Sequence, residues 1–175
     1  MKNKRLIQNY LLLTITFLLI SNIAPAQQKI NELTISNLYF KYAENWIVES
    51  KSLHNNLAFH IVGEQKDNRR TSFSIILVKF VDSISSTELI ESSIDEFKIK
   101  YKLSNLKQTP IYNSKLNSYS GKASEFSYII NGVQYYGKII ALQTKSETLA
   151  FIKISDVKQS LLTDYVIIEN SIAFK

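Results

Sequence analysis

The apolar residues of this chain change their spacing three times after residue 37, and that order constrains the fold more than any other feature. Between residues 38 and 80 they gather in short runs of aromatic and β-branched residues at 38–42, 46–48, 57–62 and 73–80. Ala43-Glu44-Asn45, then Gly63 with the polar run 64–70, punctuate these runs, a strand-and-turn pattern. Next, Ile90, Ile94, Phe97 and Tyr101 recur at i, i+4, i+7 and i+11, one stripe on a helix. Ser85-Ser86-Thr87-Glu88 opens it as a capping box, in which the Ser hydroxyl and the Glu carboxylate each satisfy a backbone N–H. The spacing predicts a helix over 86–102, with Ile90, Ile94 and Phe97 buried.

The third block returns to strands. Residues 109–112 read as an edge strand, because Pro110 has no N–H to give a ladder. Residues 123–130 and 133–143 flank Asn131-Gly132, where both residues tolerate the positive φ of a tight hairpin turn. Residues 149–154 give a further strand. Asp156 then caps a second predicted helix over 157–173, with Leu161, Tyr165, Ile168 and Ile172 on one face. Hairpin-linked strands with helices segregated from them predict an α+β fold, an antiparallel sheet flanked by two main helices. Trp46, Leu161 and Ile168 join the expected core.

The first 26 residues have a separate logic. Lys2, Lys4 and Arg5 precede an apolar run at 10–20, and Ala24-Pro25-Ala26 places small residues before Gln27. Cationic, apolar and small-x-small segments in that order form an export signal. The apolar run is about half the roughly twenty residues a spanning helix needs. The expected division is a signal peptide at 1–26, a loose polar lead-in at 27–37 and one domain at 38–175. Three of the 21 basic residues and none of the 15 acidic ones lie in the leader, so the remainder carries about +3 of the chain's +6. That charge is small and its signs are interspersed, which argues against nucleic acid as a partner. With no cysteine there is no disulfide framework and no thiol for lipid attachment.

Candidate chemistry is sparse. His54 and His60 match no zinc-ligand spacing, and four scattered glycines cradle no phosphate. No Gly-x-Ser-x-Gly elbow is present. Neither metal nor cofactor is expected. Lys66, Arg69 and Arg70 crowd one turn, where the guanidinium fork suits a carboxylate or phosphate and the charge also discourages edge aggregation. Tyr135 and Tyr136 are neighbours on a strand and so face opposite sides, which offers tyrosine surface to a partner or to a covering helix.

The order of elements resembles the PsbP-like, or Mog-type, α/β/α sandwich family, which includes the extrinsic subunit P of photosystem II and exported bacterial envelope proteins of the DcrB type. Phe40-Lys41-Tyr42-Ala43-Glu44-Asn45-Trp46-Ile47-Val48 is similar to the family's opening Tyr-x-x-Pro-x-x-Trp segment, with Ala43 where Pro is frequent. The resemblance continues through 73–78, the helix from 87 to 101, the strand from 121 to 128 and the closing segment at 168–174. It implies an accessory or binding module rather than an enzyme. The expectation is an exported, non-catalytic binding domain of the periplasm or cell exterior that contacts an envelope protein. It has no integral membrane segment once the signal is cleaved. The competing expectation is a small hydrolase with a site assembled from scattered Ser, His and Asp residues.

Overall fold

The computed structural model describes residues 29–53, 58–79, 84–145 and 147–175. The leader and its cleavage point, and His54, lie outside the described residues. Within them, β3 (Trp46–Leu53), β4 (Ala58–Gln65), β5 (Ser72–Lys79), β6 (Lys107–Gln108), β7 (Tyr112–Leu116), β8 (Tyr119–Ile130), β9 (Val133–Gln143) and β10 (Glu147–Ser155) form one antiparallel sheet. Its order is β3-β4-β5-β10-β9-β8-β6, with β7 also paired to β8. The long helix α1 (Ser86–Tyr101) connects β5 to β6, and its capping box is present as read from Ser85 and Glu88. Asn131 and Gly132 have φ of 51° and 78°, the left-handed values the β8–β9 hairpin requires. The α+β, mainly antiparallel architecture is therefore as expected.

Alternation along each strand divides the apolar side chains between two cores. On one face, Ile90 and Ile94 of α1 pack on Phe126, Tyr128, Ile139, Ala141 and Ala150. Phe97 is half-buried rather than buried, because it sits where α1 reaches the border of the covered sheet. On the other face, Phe73, Ile75, Leu77 and Phe151 meet Trp46, Phe40, Leu38 and the C-terminal segment. Trp46, Leu161 and Ile168 are buried there as expected.

Four local expectations are corrected. The polar lead-in contains a strand, β1 (Ile30–Ile35), paired antiparallel with β2 (Leu38–Ala43), and β11 (Ala173–Phe174) completes that small sheet. Leu33 and Ile35 pack on the core from it, so a partner strand supplies what local hydrophobicity lacks. Residues 109–111 separate β6 from β7 rather than forming a strand. The second helix is broken into α2 (Ser160–Thr163) and α3 (Val166–Ser171). The predicted stripe nevertheless stays inside, because the buried Tyr165 hydroxyl lies 2.9 Å from the Ser72 carbonyl and 2.6 Å from that of Ile154. Asp164 accepts from Gln65 at 3.1 Å, and these anchors displace the chain from one continuous helix. Gly63 does not end β4 either. It lies opposite Phe73, whose ring would be 2.1 Å from an added Cβ, so the aromatic ring needs glycine there.

Candidate functional site

α1 covers β8, β9 and β10 but stops short of β3 and β4. Strand alternation places His60, Val62 and Glu64 of β4, with Ser72, Ser74 and Ile76 of β5, on this partly uncovered face. Ser93, Glu96, Phe97, Lys100 and Tyr101 rise along its border from α1. The result is an open cleft of about 230 Å³ whose floor sets Val62 and Ile76 among the polar His60, Ser72 and Ser74, beside a helical wall carrying Glu96 and Lys100.

His60 Nε2 lies 2.8 Å from Ser74 Oγ across the β4–β5 pair. Burial and then the Lys100 ammonium hold the imidazole below the usual histidine range, and Glu96 opposes them. The imidazole is thus neutral at pH 7, and the pair can donate or accept a hydrogen bond. Glu96 makes no ion pair with His60 among the described residues. Ser74 is a mid-strand residue paired with Val62 on one side and Ile152 on the other. Its neighbouring amides belong to the ladder, whereas acyl transfer requires free donors aimed at a developing oxyanion. The arrangement suits recognition better than nucleophilic attack.

The turn carrying Lys66, Arg69 and Arg70 joins β4 to β5 beyond the Glu64–Ser72 end of this cleft. Lys66 and Arg69 are exposed, while Arg70 bonds to Asp156 at 3.3 Å. Tyr135 and Tyr136 are not brought to this turn, and they do face opposite sides. Tyr135 stacks on Tyr128 with centroids 5.2 Å apart in the core beneath α1. Tyr136 packs on the other core and lines a second crevice with Lys107 and Lys158. Sequence reasoning treated His60 singly and missed the cleft. The signal available was the even positions of two adjacent strands, where His60, Ser72 and Ser74 are polar and a covered sheet face would be apolar. Among the described residues no three His, Asp or Glu side chains converge as a metal site, and no helix is long and apolar enough to cross a membrane.

No protein-family model matches the sequence, and no curated protein matches it. Solved structures do. Cyanobacterial PsbP (CyanoP) from Synechocystis sp. superimposes with a TM-score of 0.58 at 7% identity, covering 87% of this chain and 96% of that one. LpqN of Mycobacterium tuberculosis, described as involved in cell envelope biogenesis, gives 0.53 at 14% identity, covering 83% of this chain and 91% of its own. A Bacteroides thetaiotaomicron protein gives 0.56 at 10% identity, with 82% of this chain matched to 48% of that one. At these identities the likeness is one of fold, and the chain has the PsbP-like fold.

Proposed function

We propose that this chain is an exported, non-catalytic accessory domain of a bacterial cell envelope, and that it holds an envelope protein in the cleft beside α1. The observation that carries the reading is the cleft itself: about 230 Å³ of open space over a floor that mixes apolar residues with His60, Ser72 and Ser74, beside a helix face carrying Glu96 and Lys100. Export is supported by the order of charge, apolar run and Ala24-Pro25-Ala26, with cleavage after Ala26 into the periplasm or cell exterior. An envelope role is supported by the fold shared with LpqN. Lys66 and Arg69 extend the contact surface past the cleft's end, and Tyr136 offers a separate one on the opposite face. Arg70 and Tyr135 already have partners within the chain. We read the layering as an α/β/α sandwich whose second layer combines α2 and α3 with the small sheet.

The 2.8 Å contact between His60 and Ser74 favours the hydrolase as the second reading. Two variants separate them. Val62→Arg places a long cation on the exposed cleft floor and should abolish capture of a specific envelope protein, while Ser74→Ala removes one hydrogen-bonding group of that floor and should weaken capture only in part. Ester or amide hydrolysis by the parent that disappears in Ser74→Ala establishes the enzyme instead.

A further inference from the structure

We propose that two copies of this chain pair along β3, antiparallel about a two-fold axis through Ser50, so that the two large sheets become one. β3 is eight residues long and ends the sheet, pairing among the described residues with β4 alone. The opposite end is closed by the two-residue β6. A long terminal strand presents a row of backbone donors and acceptors that another strand can satisfy.

The side chains of β3 determine which strand fits. Glu49 and Lys51 are exposed, lie on the same face of the sheet, and enter no ion pair among the described residues. In an antiparallel pair about a two-fold axis, directly opposite residues share a face, so one residue must lie opposite itself. Centred on Ser50, the pairing sets each Glu49 opposite the Lys51 of the other copy, giving two attractive cross-strand pairs. Centring on the neighbouring residues instead sets Glu49 against Glu49, or Lys51 against Lys51. The same two charges therefore admit one register and reject the adjacent ones, whereas charges that only guard an edge repel a copy in every register. Ile47, 47% exposed, is covered in this register by the other copy's Leu53. The pairing joins the β3–β4–β5 floors of both copies into one six-stranded surface with an α1 helix on either side.

Sedimentation equilibrium of the full chain, from micromolar to near-millimolar concentration, should show a monomer–dimer equilibrium. Glu49→Lys and Lys51→Glu should each weaken it about tenfold to a hundredfold, since two attractive pairs become repulsive. An equimolar mixture of the two variants, and the double variant E49K/K51E, should both recover the parent's affinity. The chain has no cysteine, so Ser50→Cys gives an independent readout. Residue 50 faces itself across the axis within disulfide reach, and mild oxidation should yield a covalent dimer. A parent that stays monomeric throughout, a dimer indifferent to the single charge changes, a mixture that does not recover, or a Ser50→Cys protein that fails to cross-link would each overturn the proposal.

Discussion

Removing Glu169 should destabilise this protein more than removing Lys153, although the two form one ion pair. Lys153 projects from β10 with 4% of its side chain exposed, Glu169 of α3 keeps 22%, and Nζ lies 2.7 Å from Oε1. Nζ also donates to the Leu161 carbonyl and lies 5.4 Å from the Tyr165 ring centroid, so this one ammonium fastens α2 and α3 to the sheet. Breaking a buried pair by deleting one partner costs about 3–5 kcal/mol, mostly the cost of the charge left behind. Glu169→Leu strands an ammonium that water scarcely reaches and belongs in that range. Lys153→Met strands a carboxylate that solvent can hydrate, which reduces the loss to about 1–3 kcal/mol. The double variant K153M/E169L leaves no buried charge and should fall within about 1 kcal/mol of the parent. Urea unfolding of the four proteins at pH 7 measures all three differences. Equal single losses that add in the double variant would refute the reasoning. A pH series tests it again. Burial holds the Lys153 pKa below the ordinary lysine value, against the opposing effect of the hydrogen bond it donates to Glu169. The unfolded chain therefore binds more protons between that lowered value and about 10.4, and parent stability should rise with pH across this window relative to Lys153→Met.

Ile94→Ala should cost about 2–5 kcal/mol in urea unfolding, because Ile94 is 3% exposed between α1 and the sheet, and Phe97→Ala should cost less than a fully buried phenylalanine. Gly63→Ala should cost about 1–3 kcal/mol, since the Phe73 ring it would strike is held 5.2 Å from Trp46 and cannot withdraw. His60 should titrate below the usual histidine range by NMR, and its contribution to stability should be lost as pH falls below about 6.5. His60→Gln removes that slope, and a His60 titrating at or above the ordinary value would contradict the burial argument.

What the sequence discloses about this fold depends on how local each determinant is. The capping box at Ser85 and Glu88, the turn at Asn131-Gly132 and the stripe through Ile90 and Ile94 are satisfied by residues within a turn or two, and they are legible. The strand at Ile30–Ile35 depends on β2, and its Leu33 and Ile35 are too few to identify it beside Asn31, Glu32 and Thr34. The buried stripe of the C-terminal segment is correct, yet the break near Asp164 is imposed by Gln65, Ser72 and Ile154 from distant strands. The cleft is legible only once β4 and β5 are in register, since His60 and Ser74 are fourteen positions apart in the chain. The Lys66–Arg70 turn and the two tyrosines could be located on loops and strands, but not relative to one another.

Hydrogen exchange of the purified protein, with and without solubilised native envelope fraction, tests the central claim most directly. The account predicts slowed exchange confined to β4, β5 and the second half of α1 around His60, Ser74 and Lys100, and loss of that protection in Val62→Arg. Protection elsewhere with these elements unchanged, or unchanged protection in Val62→Arg, would contradict the assignment of the cleft as the binding site.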